Sequence, residues 1–186
     1  MELRHRLLDH PFYKAWTTGS VTPGQLSSYH ASYGEFIGEI PGYWRKVTEA
    51  FGQCDEKALA VAADEQDHVG LWQMWGKNLP AAGEIPGMGD LRAALEGLTP
   101  SQLLGALHAF EIQQPEVART KRECLAGFFG MAAEDLQYFD AHQDEERHIE
   151  YGRWLAEVHA DAGQFREGFD LGARLVYESL NRFVTV

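Results

Sequence analysis

Two short segments of this 186-residue chain, Thr22-Pro23-Gly24-Gln25 and Thr99-Pro100-Ser101-Gln102, do most to limit what it can fold into. Each offers a Thr at an N-cap, a Pro at the first helical position and a Gln three residues after the Thr, the reciprocal arrangement of a capping box. Two helix starts are therefore marked, and alternating strand patterns are absent. The pattern predicts helices over 2–18, 23–51, 55–79, 100–128, 132–160 and 164–184. The run 80–89 is the clearest loop, because its Pro and Gly residues break any helix that enters it. Pro41 and Pro115 fall inside helical patterns, so each is expected to kink its helix and leave one carbonyl without its donor.

With 45% hydrophobic residues the chain can bury one sizeable core, which makes a single all-α domain over 1–186 the expectation. Twenty-eight acidic residues against sixteen basic ones give a formal charge of −12, which opposes binding to nucleic acid or anionic lipid. No run is apolar enough to span a bilayer. Cys54 and Cys124 are too few for a disulfide framework, and no signal-peptide run follows the first residues, so a cytoplasmic setting is expected.

The polar chemistry concentrates at 138–148, where His142 and His148 stand among several carboxylates within about two turns of a helix. Glu65 and His68, three residues apart, fall within about 60° of each other on one helix face. That spacing permits a shared metal ion, although Glu-x-x-His is also a common surface pattern. Glu111 is a lone carboxylate in the mostly apolar run 103–112; on the apolar side of its helix it must be paired, protonated or metal-bound, and on the other side merely solvated. Bundles that bind two iron or manganese ions use this inventory, with Glu and His projecting inward from facing helices and Glu-x-x-His pairs among them. Such ligands suit redox-active iron better than a structural zinc site, and Cys54 and Cys124 lack paired metal spacing.

Beyond these residues the chain resembles the haem-oxygenase-like di-iron oxidases, whose helical-bundle fold is shared with TenA and PqqC proteins. It is most similar to their CADD-type 4-aminobenzoate synthase branch. The resemblance runs through His10-Pro11-Phe12-Tyr13-Lys14-Ala15-Trp16, the helix start at Thr22, Tyr29 and Tyr33, Pro41-Gly42-Tyr43, and Asp64-Glu65 before His68-Val69-Gly70-Leu71-Trp72. It continues through Phe110-Glu111-Ile112-Gln113-Gln114-Pro115, Ala118-Arg119-Thr120-Lys121, Tyr138-Phe139, His142 and Glu145-Glu146-Arg147-His148.

The resemblance implies two iron ions, with manganese the alternative, surrounded by Glu65, His68, Glu111, His142, Glu145 and His148, and O₂ as co-substrate. It further implies that Tyr13 is consumed as the source of the aromatic product of folate biosynthesis, that Lys121 supplies its nitrogen, that Tyr33 belongs to the catalytic pocket, and that the protein is a homodimer. The substrate is then either the protein's own side chains or a small molecule.

Three departures stand out. His142, Glu145 and His148 are each three apart, where the family spaces the first pair by four. On an ideal helix that rotates the outer histidines about 120° apart, which a local 3₁₀ tightening, or Asp144 or Glu146 in place of Glu145, would offset. The segment between Glu65 and His68 is shorter than in those synthases, and Phe110 stands where they carry a tyrosine. Alternative readings are a di-iron oxidase acting on an external amine or acid, a metal-free TenA- or PqqC-like enzyme with Cys124 as the candidate nucleophile, and a non-catalytic interaction protein.

Overall fold

A computed structural model describes residues 1–83, 85–144 and 146–184. The described residues form nine α-helices joined by short 3₁₀ turns and loops, with no strand among them. Both capping boxes form as the sequence indicates: Thr22 opens α2 (Pro23–Ala50) and Thr99 opens α5 (Pro100–Glu111), each with its Gln returning a bond to the cap backbone.

The first helix starts later than expected. His10 precedes a proline and is extended, so α1 spans only Pro11–Thr17, and the His10 ring accepts a hydrogen bond from the Phe12 N–H. α2 runs unbroken past Pro41, and α3 spans Glu56–Gly76. Beyond the loop lies an unexpected short helix, α4 (Gly89–Glu96), which buries Leu91 and Leu95 one turn apart.

The single helix expected over 100–128 is two. Pro115 has no N–H to offer the carbonyl of Glu111, four residues earlier, and α5 ends there; α6 then spans Gln114–Phe129. The side-chain amides of Gln113 and Gln114 donate to the carbonyls of Ala109 and Phe110, supplying bonds that the broken ladder has lost. The helix expected over 132–160 is also divided, into α7 (Gln137–Ala141), a 3₁₀ turn at His142–Asp144, and α8 (Glu146–Val158). The last helix, α9 (Ala162–Ser179), ends in a 3₁₀ turn at Leu180–Phe183.

α5 lies centrally, packed against α2, α6, α8 and most closely α9. The close approach depends on small residues: a Cβ on Gly168 would lie 1.9 Å from the Gln102 carbonyl oxygen, and one on Gly105 2.1 Å from that of Phe165. No described helix is long and apolar enough to cross a membrane.

Candidate metal centre and tyrosine–lysine pocket

Three helices bring carboxylates and imidazoles together at the middle of the bundle. Glu65 from α3, Glu111 from α5 and His148 from α8 are all buried, and each places a ligand atom within 4.8 Å of the other two. Glu111 is 1% exposed at the end of a helix that buries nine residues; the Trp44 indole on α2 donates to its Oε1 at 3.3 Å. His148 Nδ1 approaches Glu65 Oε1 at 3.0 Å, and His68 Nδ1 lies 3.6 Å from Glu65 Oε2. Burial alone would raise the Glu65 carboxyl, but hydrogen bonds from His148 and His68, followed by their charges, outweigh it and hold the group down at about 2.

His142 stands beside this group, its ring 4.1 Å from that of His68, while His148 is 5.7 Å from the same ring. A 3₁₀ turn spans His142–Asp144, a local tightening of the kind that would offset the drift of an ideal helix. His142 Nδ1 donates to the Tyr138 carbonyl at 2.7 Å; a carbonyl only accepts, so the lone pair of the neutral ring is on Nε2. Metal-binding histidines are commonly fixed in this way through their other ring nitrogen. Glu145 lies outside the described residues. Asp144 and Glu146, the alternatives to it, are both exposed.

Two contributors have no counterpart among the sequence candidates. Asp64 places Oδ2 3.6 Å from His148 Nε2 and is held from outside by Arg147 at 2.6 Å. Trp44 is the other. Its partner Glu111 is 67 residues away, so only the packing of α2 on α5 reveals the pair.

The second constellation is a buried pocket walled by α1, α2, α3, α6 and α7. Lys121 is 6% exposed, and its Nζ donates to the hydroxyls of Tyr13 and Tyr29, each at 2.7 Å; those hydroxyls lie 3.0 Å apart. The amine also sits 4.2 Å from the centre of the Tyr13 ring. Burial pushes the lysine well below its ordinary range and the hydroxyls of Tyr13, Tyr29 and Tyr33 above theirs, which favours neutral amine and neutral phenols. Tyr33 stacks on Tyr29 at 4.9 Å and helps line the pocket. The free space is about 10 Å³, room for roughly one water.

Tyr138 links the two constellations. Its ring lines the pocket and lies 4.1 Å from the His142 ring, while its carbonyl accepts the hydrogen bond from His142 Nδ1. Trp72 continues the contact, 4.8 Å from Tyr138 and 6.0 Å from Tyr33.

No family model matches the chain. It is 28% identical to a 4-aminobenzoate synthase of Nitrosomonas europaea, over 99% of this chain and 86% of that protein. A 4-aminobenzoate synthase of Chlamydia pneumoniae is 27% identical over 74% of this chain and 69% of its own, and one of Chlamydia trachomatis 24% over 96% and 86%. Among solved structures, a domain of unknown function from Shewanella denitrificans with a haem-oxygenase-like fold superposes with a TM-score of 0.74, at 15% identity, over 95% of this chain and 84% of that one. The chain therefore has the haem-oxygenase-like fold and is similar, over nearly its full length, to proteins named 4-aminobenzoate synthase.

Proposed function

We propose that this protein makes 4-aminobenzoate from its own Tyr13, taking nitrogen from Lys121 and using O₂ as oxidant at a pair of iron ions. The observation that carries this reading is the contact of Lys121 with Tyr13 in a pocket with room for about one water. An aromatic substrate from outside has no space there, whereas an aromatic ring of the chain already fills it.

The atoms correspond. In 4-aminobenzoate the nitrogen sits para to the carboxylate, at the ring position where Tyr13 carries its hydroxyl, and the Lys121 amine lies 2.7 Å from that oxygen. The ring carbon exchanges its C–O bond for C–N and the oxygen leaves as water; oxidation of Lys121 Cε to the imine level and hydrolysis then break its Cε–Nζ bond and leave an aldehyde. The Cα–Cβ bond of Tyr13 breaks, Cα takes a hydrogen and Cβ rises to the carboxylate level, with O₂ accepting the electrons. Burial favours the unprotonated, nucleophilic amine. Tyr29 holds that amine by a second hydrogen bond, and the tight pocket excludes water from the ring.

The buried donor set suits a divalent cation, which Glu65, Glu111 and His148 would hold; His68 and His142 beside them would serve a second ion, and no thiolate is among these five. When bound, iron supplies the one-electron chemistry that lets O₂ react with closed-shell side chains. The metal-free alternative is disfavoured because burial, then Glu123, raises the Cys124 thiol, the opposite of what a nucleophilic cysteine needs. The proposal includes a homodimer by analogy with the family.

Reconstitution with ferrous iron, a reductant and O₂ tests this reading. Product should stop at a single equivalent per chain, and Tyr13→Phe and Lys121→Arg should each abolish it while still binding iron. Repeated turnover on an added amine or acid would overturn it.

A further inference from the structure

Trp44, which donates to Glu111 at 3.3 Å and has its ring 6.4 Å from that of His148, is also the inner end of a second series of rings. Tyr151 on α8 lies 6.2 Å from Trp44, with the planes 34° apart. Trp154, one turn further on, stacks on Tyr151 at 5.7 Å and 21°. Trp44 and Tyr151 are buried, whereas Trp154 is 39% exposed. Tyr151 and Trp154 line a groove of about 630 Å³ between α3 and α8, in the size range of small-molecule clefts, whose rim carries Lys57 and Arg147 alongside Glu56 and Glu150.

We propose that Trp44, Tyr151 and Trp154 form an electron conduit between this groove and the carboxylate–histidine centre, carrying electrons inward from a small one-electron reductant. The inference rests on the metal reading above and assigns the chain a route by which an oxidised centre is returned to its ferrous state. In each passage one electron leaves the reductant and one arrives at a ferric ion, which becomes ferrous; no covalent bond forms or breaks in the protein. Ascorbate or a reduced flavin is the chemical class of donor.

Three features favour a conduit over plain core packing. The rings form a continuous series from a partly exposed indole to a ligand-bonded one. The outermost ring stands in a groove that a small molecule can reach. The Tyr151 hydroxyl is buried with no hydrogen-bond partner among the described residues, so with no base to accept a proton transfer Tyr151 stays a neutral phenol that bridges the two indoles and is not itself a resting place for charge. The two tryptophans can lose and regain an electron without such a transfer.

The test loads the full chain with iron, oxidises it, and follows the loss of ferric absorbance under ascorbate without O₂, with bound iron measured in parallel. Trp154→Leu changes a partly exposed side chain and Tyr151→Leu the buried bridge. Each should slow reduction by about tenfold or more, ~1.4 kcal/mol of barrier, without lowering bound iron. A second readout needs no turnover: peroxide added to the ferrous protein without reductant should leave oxygen adducts on Trp154, mapped by mass spectrometry, and fewer of them in Tyr151→Leu. Equal reduction rates in all three proteins with no adduct on Trp154 would overturn the conduit and leave the metal reading standing. Failure of the wild type to bind iron would overturn both.

Discussion

Lys121 Nζ lies 2.7 Å from the hydroxyl oxygen of Tyr13, a residue 108 positions earlier in the chain, and both are buried. Burying an amine in this way opposes stability, so its presence needs a reason beyond packing. Burial lowers the folded-state value below the ordinary 10.5, so between those two values the unfolded chain binds more protons and stability rises with pH. Lys121→Met should therefore raise the denaturation midpoint at neutral pH, and the gain should shrink as pH approaches 10.5. Denaturant titrations of both proteins across that range check it; a pH-independent difference would contradict the burial argument.

Glu65 behaves in the opposite sense. Its folded-state value of about 2 lies below the ordinary 4.5, so its contribution is fully present above 4.5 and is lost as pH falls through about 2. In metal-free protein, Glu65→Gln should flatten the acid limb of the stability profile between those values. An unchanged limb would mean that His68 and His148 do not hold the carboxylate as the geometry indicates.

Trp44 should matter to the metal without touching it. Removing its hydrogen bond to Glu111 by Trp44→Phe should weaken iron binding about 10–100-fold, the usual cost of losing a group that orients a ligand, while far-UV circular dichroism stays helical. Unchanged affinity in a titration would show that Glu111 is held by other contacts.

The helix pair α5 and α9 offers a test of packing alone. Gly168→Ala drives a methyl group to within 1.9 Å of a backbone oxygen that cannot swing aside, so the helices must separate. A loss of about 1–3 kcal/mol or more in equilibrium unfolding is expected.

Much of this architecture is legible from residues that act locally. Thr22 and Thr99 announce their helices because a capping box is closed within four residues, and Pro115 marks a boundary because it has no N–H to donate to the Glu111 carbonyl. Whether that boundary becomes a kink or a break depends on Gln113 and Gln114 replacing lost bonds, which periodicity does not reveal. α4 escapes the sequence pattern because it is eight residues long with Leu91 and Leu95 as its buried pair, directly after a Pro- and Gly-rich loop. At the metal centre, Glu65 and His68 share a visible spacing within one helix. The approach of Glu111 to Trp44 and of Asp64 to His148 is created by helices meeting, and the pocket around Tyr13 is sized by five of them.

If the chain is its own substrate, the product's nitrogen comes from its lysine and the product's ring from Tyr13. Protein produced with heavy-nitrogen lysine is loaded with ferrous iron, given reductant and O₂, and examined by intact-mass and peptide analysis beside the released product. Self-consumption yields 4-aminobenzoate carrying the heavy nitrogen, at no more than a single equivalent per chain, with loss of side-chain mass at Tyr13. Product with unlabelled nitrogen, or product that keeps accumulating while Tyr13 stays intact, would contradict it.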